Sequence, residues 1–316
     1  MWKAPRGALV FVTMLGCGEA PARQAPPITS SAHLDASVPD AAEASLVDAA
    51  AATFADAAPS ADAAQASPAD AGEVVRTGGC GVPTATGLQS VTTMVGGVSR
   101  HYSVFVPSGY DASTPTRLIF VFHGMGGDGA QIRSYLSFER EAGAGALFVY
   151  PDGVPVAAAG GRTGWDTPDL LFFDAMVAEI SAAYCVDPAR IFATGHSFGA
   201  YMTNEVGCQR GGVVKAIAAV SGGTLGSACH RPVAAWLAHG DRDDVVAQSE
   251  GIAARDHWLA TDGCSSVSAP TTPSPCVTYN GCAAGAPVTW CSFAGGHYPP
   301  FPAFVRPAIW AFFQSW

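Results

Sequence analysis

Runs of apolar residues at Leu118–Phe122, Leu147–Tyr150, Ile191–Thr194, Ala216–Val220 and Val233–Ala238 each break off in His, Pro, Gly or Ser. Between them lie stretches of helical character. From about Leu170 to Tyr184 the apolar residues fall three and four apart, and a second helical pattern starts at Ala200. A continuous apolar strand must be covered on both faces, and helices in the connections supply that cover. Tyr102–Val106 alternates like a half-buried strand, and Val288–Phe293 adds one more apolar segment. The pattern predicts an α/β fold with a mostly parallel central sheet and helices on both faces. In such a fold, ligand chemistry gathers at the carboxyl ends of the strands.

Composition separates this region from what precedes it. The 316 residues are 49% hydrophobic and 13% charged, enough to build a large core. From Gly18 to Arg76, however, 21 of 59 residues are Ala, with nine acids and two bases, so this stretch holds seven of the ten net negative charges. Too little apolar surface is available there to offset the entropy of ordering. Residues 18–77 therefore read as a flexible tether, and residues 78–316 as one globular domain. The acidic balance argues against a nucleic-acid partner, which would demand a basic surface. No run of eighteen apolar residues occurs to span a membrane.

Lys3 and Arg6 precede an apolar run from Ala8 to Leu15, the charged and hydrophobic parts of a secretory signal over residues 1–17. Met14-Leu15-Gly16-Cys17 resembles the lipobox of bacterial lipoproteins, in which the cysteine becomes the lipidated first residue. The chain is accordingly expected outside the cytosol, with a lipid on Cys17 as its one link to a membrane; simple secretion is the alternative. Setting Cys17 aside leaves Cys80, Cys185, Cys208, Cys229, Cys264, Cys276, Cys282 and Cys291. An even number suits a disulfide framework in an exported chain. The last four lie close enough in sequence to pair among themselves. With no C-x-x-C pair and no His at zinc-finger spacing, no metal site is expected.

Gly195-His196-Ser197-Phe198-Gly199 is a G-x-S-x-G placed directly after a strand and before a helix. That context is what a nucleophile elbow requires: two glycines let the backbone crowd, and the Ser197 hydroxyl is pushed out above the sheet. A serine hydroxyl needs a base, and the base needs an acceptor to set its tautomer. After Val233–Ala238 come three acids in His239-Gly240-Asp241-Arg242-Asp243-Asp244, and after Val288–Phe293 comes Gly295-Gly296-His297. His297 is the candidate base. The residues by themselves leave Asp241, Asp243 and Asp244 open as its partner. His196 is expected to point elsewhere, and His239 to bond within its own loop. Oxyanion donors are expected at the backbone N–H of Phe198 and at that of Met125 in the loop His123–Gly127. Trp165 and Tyr298 are candidate walls of a substrate cleft.

A rival motif overlaps this loop. Gly124–Gly129 matches G-x-G-x-x-G, and Asp152 ends the next strand 23 residues after Gly129, near the spacing of a dinucleotide fingerprint. That reading leaves the serine, acid and histidine arrangement without a purpose.

Gly78-Gly79-Cys80-Gly81, Phe173-Asp174-Ala175, Tyr184-Cys185-Val186-Asp187, the run Arg190–Tyr201 and Glu205-Val206-Gly207-Cys208 together resemble the secreted feruloyl esterase and polyhydroxybutyrate depolymerase family of α/β-hydrolases, similar to carbohydrate esterase family 1. The tail from Cys276-Val277-Thr278-Tyr279-Asn280-Gly281-Cys282 through Trp290-Cys291 to His297 resembles it too. The resemblance covers the chain from about Gly78 to Trp316. It implies an α/β-hydrolase fold and ester hydrolysis through an acyl-enzyme, without cofactor. It also implies an H-G-x-x-D motif, which lands on His239–Asp243 and selects Asp243. The expected substrate is a feruloyl ester of plant polysaccharide, with polyhydroxybutyrate and acetylated xylan as alternatives, and the chain is expected to act as a monomer. A non-catalytic carbohydrate-binding protein on a hydrolase scaffold is the alternative of another class.

Overall fold

A computed structural model describes residues 77–298 and 301–316. The signal, Cys17 and nearly all of the tether lie outside the described residues.

The elements follow one another as β1 (Gly87–Val95), β2 (Val98–Val106), β3 (Thr116–Phe122), α1 (Gly129–Leu136), α2 (Glu139–Ala142), β4 (Ala146–Pro151), the short β5 (Val154–Pro155) and β6 (Thr163–Gly164), and α3 (Asp169–Ala183). Then come β7 (Val186–His196), α4 (Phe198–Arg210), β8 (Ala216–Val220), β9 (Ala234–Gly240), α5 (Gln248–Thr261), β10 (Ser268–Pro270), β11 (Cys276–Tyr279), β12 (Val288–Phe293) and α6 (Val305–Gln314). Ten strands form one sheet in the order β1-β2-β4-β3-β7-β8-β9-β12-β11-β10. The six central strands, β4 to β12, run parallel, and antiparallel pairs close both edges.

The period of two along each strand divides the core. Leu118, Phe120 and Phe122 of β3 pack with Phe173 of α3, Met202 of α4 and Trp258 of α5. Ile119 and Val121, one residue out of phase, face the opposite side with Ile132 of α1 and Ile309 and Phe313 of α6. The expected layers are therefore present, with α3, α4 and α5 on one face and α1 and α6 on the other. Both faces of β4, β8 and β9 are buried along their whole length, which explains their unbroken apolar runs.

The edges differ from the sequence expectation. β1 alternates half-buried and exposed residues, and β10 is three exposed residues long, so neither carries an apolar run to announce it. Between β1 and β2, Gly96 and Gly97 have φ of 57° and 82°, a two-residue hairpin turn that needs positive φ at both positions.

All eight described cysteines are paired: Cys80–Cys185, Cys208–Cys229, Cys264–Cys282 and Cys276–Cys291. The last four do pair among themselves, and Cys276 lies directly opposite Cys291 in the β11–β12 ladder.

Asp262, just past α5, is 1% exposed; one carboxylate oxygen accepts from the Val233 N–H at 3.2 Å and the other has no donor among the described residues. Burial pushes its carboxyl up to about 7, against the opposing pull of the Val233 N–H. The folded chain thus holds this proton more tightly than the unfolded chain. Its contribution to stability is complete below about pH 4 and is lost as pH rises through about 7. In Asp262→Asn that loss disappears, so the Tm difference, variant minus wild type, should grow by about 3–6 °C from pH 5 to pH 8. A thermal scan showing a constant difference across that range would refute this assignment.

Candidate active site

β7 runs down the middle of the sheet and ends at His196, after which the chain turns sharply into α4. Ser197 sits in that turn at φ 58° and ψ −125°, a conformation non-glycine residues avoid. Its neighbours must be small. A Cβ on Gly195 would run into the Gly199 carbonyl, and one on Gly199 into the Phe122 carbonyl. The glycines of the motif are therefore needed for the close approach of α4 to β3, and the turn holds the hydroxyl clear of the sheet.

The loops after β9 and β12 meet this turn. Ser197 Oγ lies 2.8 Å from His297 Nε2, and His297 Nδ1 lies 2.8 Å from Asp243 Oδ2. The side chains of His297 and Asp243 are 1% and 0% exposed. Asp243 Oδ1 accepts from the N–H groups of Val245 and Val246 at 3.0 and 2.8 Å. Burial pushes the Asp243 carboxyl up, but the hydrogen bonds from His297, Val246 and Val245 outweigh it and hold the group below the ordinary carboxylate range. An ionised Asp243 accepts the Nδ1–H of His297, which leaves Nε2 free to accept the serine proton.

The other acids of that loop stand apart. Asp244 is exposed, and Asp241 is spent on the neighbouring loop, accepting from the Gly295 N–H at 3.0 Å. His239 is fully buried and bonds within its own loop, with Nε2 2.9 Å from the Val246 carbonyl; it also lies 3.3 Å from Asp243 Oδ2.

Above the hydroxyl lies the loop after β3. A Cβ on Gly124 would sit 3.3 Å from the Ser197 Cβ, so the glycine lets this loop close over Ser197. The β5–β6 excursion clamps it from outside: Gly126 N–H donates to the Thr163 carbonyl at 2.7 Å and Thr163 Oγ1 donates to the Gly127 carbonyl at 2.8 Å. The N–H groups of Met125 and Phe198 donate to no acceptor among the described residues. This is the state expected of donors held ready for an oxyanion.

The glycines of the G-x-G-x-x-G are thus occupied in building this site. Asp152 accepts from the Gly129 N–H at 2.7 Å and lies 2.6 Å from His101 Nδ1, which leaves it tied to the protein.

A cleft of about 530 Å³ opens over Ser197, bordered by Met125, Tyr135, Arg162, Phe198, Tyr201 and Tyr298. Tyr298 is where the sequence placed it, 64% exposed with its ring edge-on to His297. Trp165 is not a wall of this cleft. It is 1% exposed, packs on Phe122 and His123, and donates Nε1–H to the His123 carbonyl at 2.8 Å. A large ring whose polar tip already has a partner belongs to the core, and here it supports the loop after β3 from behind.

Sequence reasoning passed over Tyr135, Arg162 and Tyr201. For Tyr201 a signal existed, because four residues along a helix return it to the side of Ser197. For the other two, nothing local marks them. The expectation for His196 is also corrected: its ring lies against that of His297, with centroids 4.7 Å apart.

Among the described residues, Cys208, Cys229 and His257 bring metal-binding atoms together. The two sulfurs are bonded to each other, which removes the thiolates a metal would take.

No family model matches the chain. Feruloyl esterase D of Neurospora crassa is 32% identical over 245 residues, spanning 70% of this chain and 82% of that protein. Feruloyl esterase C of Emericella nidulans is 31% identical over 248 residues, 71% of this chain and 88% of that protein. Among solved structures, an acetyl xylan esterase from Aspergillus awamori matches with a TM-score of 0.56 at 16% identity, covering 72% of this chain and 99% of that one. A ferulic acid esterase from Anaeromyces mucronatus, solved with ferulic acid, matches with a TM-score of 0.52 at 15% identity, covering 74% and 92%. Sheet order, elbow and relatives together define a carboxylic ester hydrolase of the α/β-hydrolase fold. More narrowly, the chain belongs to the feruloyl esterase family.

Proposed function

We propose that this chain hydrolyses hydroxycinnamoyl esters of plant cell-wall polysaccharide through an acyl-enzyme on Ser197. The observation that carries this reading is the relay of 2.8 Å contacts from Ser197 through His297 to Asp243, in a chain of the feruloyl esterase family. His297 takes the Ser197 proton as the oxygen attacks the ester carbonyl. The negative charge on the carbonyl oxygen is met by the N–H groups of Phe198 and Met125. Collapse expels the sugar alkoxide, which receives the proton from His297. Water then repeats the sequence, activated by His297, and releases the carboxylic acid and the free Ser197 hydroxyl. The flat aromatic rings of Tyr135, Phe198, Tyr201 and Tyr298 around the cleft suit a planar acyl group.

Export agrees with this reading, supported by Lys3 and Arg6 ahead of the apolar run and by four disulfides. A lipid on Cys17 would hold the enzyme at the cell surface.

The test is a panel of methyl ferulate, a short aliphatic ester, an acetylated xylan and a 3-hydroxybutyrate oligomer. We expect kcat/KM on methyl ferulate to exceed that on the aliphatic ester at least about tenfold, the discrimination a well-shaped apolar pocket supplies. Equal rates would remove the hydroxycinnamoyl assignment, and the fastest of the other substrates would replace it.

A further inference from the structure

His196 occupies the variable position of the elbow, one residue before the nucleophile, yet its side chain reaches the base. Nε2 lies 2.9 Å from the main-chain carbonyl oxygen of His297. The ring is 4% exposed and is held among three others, with centroids 4.7 Å from His297, 5.1 Å from Tyr135 and 5.1 Å from Phe301.

The loop that carries His297 is anchored at Gly295, whose N–H donates to Asp241 and whose carbonyl accepts from the Arg242 N–H, but these bonds stop short of His297 itself. Gly295 and Gly296 precede it, and a glycine pair leaves the backbone free to turn. Among the described residues, the His297 N–H donates no hydrogen bond and its carbonyl accepts this one alone. The bonds of the imidazole to Ser197 and Asp243 hold the ring, and the bonds at Gly295 anchor the loop two residues earlier; among the described residues, the main chain of His297 itself is held by this one bond.

We propose that His196 is a positioning residue for catalysis: by donating its Nε2–H to the His297 carbonyl it fixes the base against the nucleophile. This rests on the assignment of Ser197 and His297 given above. The arrangement ties the base's main chain to the residue adjoining the nucleophile, at the end of β7, which is paired on both sides by β3 and β8. Nucleophile and base are then registered directly through the end of one paired strand, and not only through the loop anchored at Gly295. A carbonyl oxygen can only accept, so Nε2 must carry the hydrogen. The donor is also electrically silent. Burial and the neighbouring His297 hold the His196 imidazole down to about 3, against the opposing pull of the His297 carbonyl and Asp243, with His239 also nearby. No second cation therefore opposes the imidazolium that His297 becomes during turnover.

His196→Met and His196→Gln in the full chain test this, since the two side chains are similar in size and only Gln donates. Misplacement of a base by about 1 Å can cost up to about a hundredfold. We expect kcat of His196→Met to fall about 30-fold with KM changed less than about twofold, and His196→Gln to return to within about fivefold of wild type. A Met variant within about threefold of wild type, or a Gln variant as slow as Met, overturns the proposal. Histidine ring ¹⁵N spectra of the wild type at pH 7 ask the same question without a substitution. They should show His196 as the Nε2–H tautomer, and the Nδ1–H tautomer would overturn the role. Fluorophosphonate treatment of the wild type separates the two levels: no label on Ser197 removes the underlying assignment, whereas full labelling with an unaffected Met variant removes His196 alone.

Discussion

Replacing Ser197 with alanine is expected to lower turnover at least about a thousandfold, the scale on which removing a triad member acts. Ser197 Oγ is poised 2.8 Å from the base, and the residual rate in its absence comes from the oxyanion donors and substrate binding, which this variant retains. The measurement is kcat on methyl ferulate for wild type and variant, with a thermal scan to show that both fold. A fluorophosphonate should modify the wild type stoichiometrically and leave the variant untouched. Alanine at position 197 with more than about a tenth of wild-type turnover would mean that another group performs the attack.

Asp243→Asn should also cost heavily, about ten-thousandfold in kcat. Asp243 uses one oxygen on the Val245 and Val246 N–H groups and the other on His297. In asparagine the oxygen goes to the two N–H donors, so the amide NH₂ faces His297 Nδ1. It can only donate there, which forces the imidazole proton onto Nε2, where it blocks acceptance from Ser197. The exposed neighbour supplies the control: Asp244→Asn should stay within about twofold of wild type. Should the two variants exchange their effects, the orienting acid is Asp244 and the H-G-x-x-D assignment is mistaken.

What could be read from the chain divides along the range of the forces involved. The serine turn was legible because its signal is local: a strand, two glycines and a helix start within a dozen residues, and backbone sterics at 195 and 199 account for the glycines. Buried strands were legible because a short unbroken apolar run, bounded by turn residues, is what a strand covered on both faces requires. The edge strands β1 and β10 were not, since half-exposed pairs bury too little to leave a pattern. Asp243 could not be told from Asp241 and Asp244 by their own surroundings; the family resemblance picked it out, and a fully buried carboxylate with three hydrogen bonds sets it apart from its neighbours. Trp165 and His196 were misjudged for one reason. The direction of a side chain follows from local backbone, but what it meets there depends on segments far away in sequence.

By itself the sequence determined a parallel sheet wrapped by helices, an elbow with a serine at its tip, and a short set of groups able to serve it. Tertiary structure alone decided that His297, a hundred residues beyond Ser197, and Asp243, 54 residues before His297, stand within hydrogen-bond reach. That follows from strand order: β7, β9 and β12 lie within four neighbouring positions of the sheet and point the same way, so their carboxyl ends deliver three loops to one place. Propensity and periodicity act over a few residues, and no such rule reaches across a hundred.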